Sequence, residues 1–218
     1  MKLKIVFFIN FMIIIFKLSA QTFNPTIQVF GSPVLHFFNN IENAEISQEF
    51  NHSYGLLIGK AFYLNNSAIY IRTGYFIDTK KYEKIFFDTI SWYPKSVSTQ
   101  FIYGNIPVFL SYCVKTNNRI SPFISVGYIF GNILNQKQSW VFNNGEQSEG
   151  FRSGIENIKN PKYMYGSMGV QYKASKNLSL FSEPYLKYCI NSNSPYNYDN
   201  DSKLSFGLKI GLNYDFHK

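Results

Sequence analysis

Cysteine is nearly missing from this chain. Cys113 and Cys189 are the two it has, far too few for a disulfide-stapled scaffold. Charge is sparse as well, with 13 acidic and 21 basic side chains, and the basic ones stand singly or in pairs such as Lys80-Lys81. That scatter suits a solvated surface or loop ends beside anionic headgroups and argues against a nucleic-acid-binding stripe. After residue 21 no segment holds a helical period. Phosphate loop, nucleophile elbow, zinc-ligand spacing and dinucleotide fingerprint are all absent from the sequence, so neither a cofactor nor a metal is expected.

The N-terminus reads as a secretory signal. Lys2 and Lys4 form a basic start, Ile5 to Phe16 an apolar stretch interrupted by Asn10, and Leu18-Ser19-Ala20 precedes Gln21 as a cleavage site. The apolar core is short for a membrane helix, and an N-terminal anchor is the alternative reading. No cysteine follows the run, so lipoprotein processing is not expected. The expected organisation is a signal peptide over 1–20 and one domain over 21–218. Removing the signal takes away Lys2, Lys4 and Lys17 and lowers the formal charge from +8 to +5.

What the chain does have is aromatic residues, 19 % of the total, and period-two alternation. Eight extended runs stand out in the sequence, near 26–36, 50–63, 68–80, 98–114, 120–134, 162–173, 178–191 and 203–216. Each is long enough to cross a bilayer as a tilted strand, whereas strands of soluble domains average about five or six residues. Short turns at Leu64 to Ser67, Lys115 to Arg119 and Ala174 to Asn177 alternate with long polar connections near 37–49, 81–97, 135–161 and 192–202. Short turns on one side and long loops on the other are the habit of bacterial outer-membrane barrels. The predicted fold is all-β, an eight-stranded antiparallel up-and-down transmembrane β-barrel with four long loops outside.

The last run alternates most cleanly. Leu204, Phe206, Leu208, Ile210, Leu212, Tyr214 and Phe216 share one face, and Ser205, Gly207, Lys209, Gly211, Asn213 and Asp215 the other. Facing lipid outward and a polar lumen inward requires this pattern. In the third run the inward set is Tyr70, Arg72, Gly74, Phe76 and Asp78; in the seventh it is Phe181, Glu183, Tyr185, Lys187 and Cys189. The second run is ambiguous, because Leu56 and Leu57 are both apolar and Lys60 alone marks its inward face.

By this parity Arg72, Glu183, Lys187 and Lys209 point into the lumen. In a barrel barely wide enough for side chains to fill, inward charges must pair or be hydrated. They are read as a structural polar network closing the pore, with a narrow ion or proton path as the functional alternative. Cys113 and Cys189 fall near opposite ends of their strands, too far apart to bridge. No catalytic, cofactor or metal residues are expected. His36, His52 and His217 lack metal spacing, and His52 and Ser53, as neighbours on a strand, point to opposite faces. Loop 135–161, with Trp140, Phe142, Phe151 and Asn143-Asn144-Gly145, reads either as a recognition loop or as a solvated segment.

Ser19-Ala20-Gln21, the stretch Tyr103-Gly104-Asn105-Ile106-Pro107-Val108-Phe109-Leu110, the stretch Pro122-Phe123-Ile124-Ser125-Val126-Gly127 and the Gly-rich last run ending near Phe216 carry a resemblance. In these the chain resembles the outer-membrane β-barrel domain proteins common in Bacteroidetes, akin to PorT-like and OmpA-type small barrels. His217 and Lys218 follow Phe216, unlike a barrel that ends on its terminal aromatic. The resemblance implies fold and location. The expected function is that of a non-enzymatic integral outer-membrane protein with a structural or interaction role. Its expected surroundings are outer-membrane lipid and an unidentified protein partner, with the protein a monomer and no nucleic acid bound. The rivals are a soluble periplasmic lipocalin-like barrel, an outer-membrane lipid-modifying enzyme and a component of an export machine.

Overall fold

Alternating side chains hold the backbone extended over most of the described residues. The computed structural model describes residues 24–37, 44–48, 51–64, 66–87, 94–116, 119–150, 160–190 and 203–216. The expected signal over 1–20, the connection 192–202, Phe151 and His217 lie outside them. The strands are β1 (Pro25–Phe37), β2 (Ala44–Gln48), β3 (Asn51–Tyr63), β4 (Ser67–Phe86), β5 (Pro94–Val114), β6 (Ile120–Phe142), β7 (Gln147–Gly150), β8 (Lys162–Lys173), β9 (Leu178–Cys189) and β10 (Leu204–Asp215).

Eight of them, β1, β3, β4, β5, β6, β8, β9 and β10, pair antiparallel in a ring that closes between β1 and β10. β2 and β7 are appended to β4 and β6. Stepping from partner to partner from Thr26 leads through Gly59, Arg72, Phe109, Gly127, Tyr165, Lys187 and Ser205 to His36, ten residues along the starting strand. A stagger of this kind goes with strands tilted by roughly 35–45°. Side chains at one depth therefore come from quite different registers.

The inside is filled. Phe30, Leu57, Phe76, Phe109, Tyr165, Phe181 and Tyr185 pack into one buried cluster. The outside is apolar and exposed: Val29, Leu56, Ile58, Leu110, Ile124, Val126, Leu186, Ile210 and Leu212 are each 45 % or more accessible. A soluble lipocalin-like barrel would bury such residues and expose the polar ones, so that rival is overturned. Exposed aromatics ring both edges of the apolar band, with Tyr112, Tyr172, Tyr214 and Phe216 toward the short turns and Phe37, Tyr54, Phe130 and Tyr188 toward the long connections, as lipid interfaces favour. On β5 the outward positions are apolar from Val114 to Ile102 apart from Gly104. Twelve residues at about 3.3 Å each, tilted by about 40°, rise roughly 30 Å, the depth of a hydrocarbon core.

Three expectations change. First, 81–97 and 135–161 are not simply loops: β4, β5 and β6 run to 20, 21 and 23 residues. They carry a sheet past the barrel rim, and Trp140 and Phe142 lie on β6 within it. The stretch 37–49 likewise contains β2. Above the apolar band neither face needs to be hydrophobic, so the alternation that revealed the strands fades while the pairing continues. Second, the residue correspondence between β5 and β6 shifts between Ile102/Tyr103 and Asn135/Ile133, so Leu134 is an extra residue and parity on β6 reverses beyond it. Third, Lys60 does not mark the inward face of β3. Asn51, Ser53, Leu57 and Ala61 are the buried inward set, and Lys60 shares the parity of exposed Leu56 and Ile58. Lys60 is nevertheless buried, at 3 % exposure, with its ammonium 5.0 Å from the centre of the Phe62 ring, so burial at this position does not follow parity.

Close strand approach fixes small residues at particular points. A Cβ on Gly74 would lie 2.2 Å from the Leu56 carbonyl oxygen across the β3–β4 pair. Gly145, with φ of 85°, supplies the left-handed residue of the turn from β6 to β7. There Gly145 N–H donates to the Phe142 carbonyl at 3.0 Å, and the Asn144 side chain accepts from the Glu146 N–H at 3.0 Å.

Candidate functional site in the barrel lumen

The structure buries all four lumen charges, Arg72, Glu183, Lys187 and Lys209, each at 6 % exposure or less, and divides them among three tiers. Nearest the short turns, Arg72 on β4 donates to Ser111 Oγ on β5 and Asn213 Oδ1 on β10, both at 3.4 Å. Its guanidinium also lies 4.2 Å from the centre of the Tyr70 ring. No carboxylate directly contacts it among the described residues, so its charge is met by dipoles and a π-face.

The middle tier is a relay. Lys209 Nζ donates to the Tyr165 hydroxyl at 2.8 Å, and that hydroxyl donates to Glu183 Oε1 at 2.9 Å. Ser167 Oγ also donates to Glu183 Oε1. Lys209 and Glu183 face each other across β10 and β9, with Tyr165 joining them from β8. Four rings surround the ammonium, Phe30, Phe109, Tyr165 and Tyr185, with centroids 4.1 to 5.2 Å away. A desolvated ammonium in such a cage gains about 2 kcal/mol or more from cation–π attraction.

Nearest the long connections, Lys187 and Asp78 form an ion pair with both side chains 3 % exposed. Close to it His36 Nδ1 and Ser205 Oγ share a hydrogen bond of 2.8 Å. This serine–histidine pair joins residues 169 positions apart, adjacent only because β1 closes on β10. His52 and Ser53 diverge instead, His52 stacking outside on Tyr54 with Ser53 buried. Asp78 and Tyr165 complete the tiers, and inward parity had pointed to Asp78 already. Tyr165 has no signal beyond its place opposite Lys187 and Gly127 in the ring. Cys113 and Cys189 are both buried, and no disulfide joins them.

The lumen narrows inward from the turn end. A cavity of about 360 Å³ opens there between Tyr63, Lys115, Lys173, Lys176 and Asp215. At Arg72 it gives way to a void of about 10 Å³ bounded by Gln28, Tyr70, Ser111, Phe181 and Asn213, barely the space one water needs. The arrangement can hold charge and fill space at the depth of Arg72.

A closed eight-stranded meander, apolar outside to the depth of a bilayer and polar within, defines a small integral β-barrel of the bacterial outer membrane. No protein-family model and no curated protein match the chain. Solved structures do. Outer membrane protein OprG from Pseudomonas aeruginosa aligns at 10 % identity over 90 % of this chain and 97 % of that one, with a TM-score of 0.50. Outer membrane protein AlkL, solved in lipid bilayers, aligns at 17 % identity over 90 % and 92 %, with a TM-score of 0.49. Neisserial surface protein A aligns at 13 % over 88 % and 97 %, with 0.45. The likeness to OprG shows the fold, that of an outer-membrane β-barrel protein.

Proposed function

We propose that this protein is a non-enzymatic outer-membrane barrel that works through the surface it presents beyond the bilayer. The observation that carries this is a lumen filled by buried side chains beneath a sheet of β4, β5 and β6 that continues past the apolar band. The long connections and that sheet face the outside of the cell, and the short turns face the periplasm, following the habit of such barrels. The protein is a monomer in the membrane, surrounded by lipid and free to meet an extracellular or periplasmic protein; it binds no nucleic acid. Kinship with the Bacteroidetes barrels, PorT-like proteins included, rests on the stretches 103–110 and 122–127. An export-machine partner is the form the interaction role takes if that kinship holds.

The experiment is conductance of the purified, heat-modifiable protein in planar bilayers. No steady ion current is expected; sustained channels would overturn the filled-lumen reading. The non-enzymatic reading is supported by the burial of His36 and Ser205, at 4 % and 2 % exposure. Incubation with phospholipid vesicles should release no fatty acid, and release that stops on Ser205→Ala would overturn it.

A further inference from the structure

The outer face of the β4–β5–β6 extension changes character in steps that match one kind of molecule. Ile77, Ile102 and Leu134 are the last apolar outward residues of the band on the three strands. Just beyond, Lys81, Gln100 and Lys137 stand directly opposite one another across the strands, two ammoniums flanking an amide. The next outward row is Glu83, Ser98, Ser139 and Glu149. Residues from both rows line a depression of about 460 Å³ on this face.

Gln100 lies two residues past Ile102, about 5 Å further along the membrane normal at the tilt of these strands. That is headgroup depth. Cationic side chains at that depth meet phosphate as point charges, and hydroxyl and carboxylate groups one row further out suit a polyhydroxylated sugar. We infer that this face seats a phosphorylated glycolipid of the lipopolysaccharide class. Its acyl chains lie on Ile77, Ile102 and Leu134, its phosphate between Lys81 and Lys137, and its sugars against Ser98 and Ser139. Apolar, cationic and hydroxylic tiers follow in the order of that molecule's own parts. An ordinary phospholipid has no sugar for the upper row. The inference rests on the outward orientation proposed above.

The test is native mass spectrometry of the full-length folded protein released from detergent with rough lipopolysaccharide, the same lipid after phosphatase treatment, or phosphatidylglycerol. Retention of the intact lipopolysaccharide should fall by about tenfold or more in Lys81→Gln/Lys137→Gln, a loss of about 1.4 kcal/mol, and equally when the phosphates are removed. Lys115→Gln/Lys176→Gln at the turn end should retain it fully, and heat-modifiability confirms that each variant is folded. Equal retention by wild type and the Lys81/Lys137 variant, or of lipid with and without phosphate, overturns the site. So does phosphatidylglycerol retained as well as lipopolysaccharide. Orientation is read separately by labelling Ser148→Cys on intact cells with an impermeant maleimide. Labelling without lipid retention sinks the glycolipid seat alone; absence of labelling, with the protein shown in the outer membrane, sinks the orientation beneath it.

Discussion

At the scale of the residue, the buried charges differ in what each costs to disturb. Lys187 and Asp78 have each other, so removing one leaves an uncompensated ion. Asp78→Asn should destabilise the barrel by about 3–5 kcal/mol in urea unfolding from lipid vesicles. Asp78→Leu/Lys187→Met should recover most of that, because a well-packed apolar pair of similar volume is often neutral or better. If the double variant is no better than the single, the pair is not what holds the upper lumen. Tyr165 is the sharper case: its hydroxyl both accepts from Lys209 and donates to Glu183. Tyr165→Phe keeps the ring of the cage but severs both hydrogen bonds, and a loss of about 2–4 kcal/mol is expected from two charge-assisted bonds. A loss under about 0.5 kcal/mol, within the range of a substitution that touches nothing special, would show that Lys209 and Glu183 do not depend on the relay.

At the scale of the element, long strands serve two environments, and substitution should reveal where one ends. Val126 on β6 is 57 % exposed within the apolar band, whereas Ser98 on β5 lies beyond it. Val126→Arg should cost about 2–4 kcal/mol of folding free energy in a bilayer, and Ser98→Arg about 0–1 kcal/mol. Similar penalties at both sites would mean that the sheet extension is itself immersed. The same logic explains why the extension was hidden in the sequence. Lys80, Tyr82 and Lys84 point inward on β4 while Lys81 and Glu83 point out, so both faces are polar-rich and no alternation marks the strand. The extra residue at Leu134 hides it further, since inward positions run odd up to Ile133 and even from Gln136. Only pairing partners, not pattern, keep these segments extended.

At the scale of the whole molecule, closure decides the properties that matter. Backbone groups in lipid must be satisfied within the protein, and the pairing of β1 with β10 removes the last open edge. A chain truncated before β10 should fail to show the heat-dependent shift on unboiled gels, and should be recovered as aggregate or degraded protein. A truncated chain that still shifted would mean that another pairing closes the ring. Closure also creates the contacts that no local reading reaches, His36 with Ser205 and Arg72 with Asn213 among them.

Parity along each strand, a property of backbone geometry with period two, is why Arg72, Glu183, Lys187 and Lys209 were legible as inward from residue order alone, and why the eight strands and their short turns were as well. Which of those charges meet was not legible, because partners across a tilted ring depend on a stagger summed over every strand pair. Lys60 shows the limit on one strand: a single charge beside Leu56 and Leu57 cannot choose a face, and neighbours on β1 and β4 chose it. The sequence by itself determined the class of fold and the membrane-facing surface, since lipid permits few patterns. The tertiary structure alone decided the relay through Tyr165, the partners of Arg72 and the row of Lys81, Gln100 and Lys137, because each is assembled from strands distant in sequence and aligned by register.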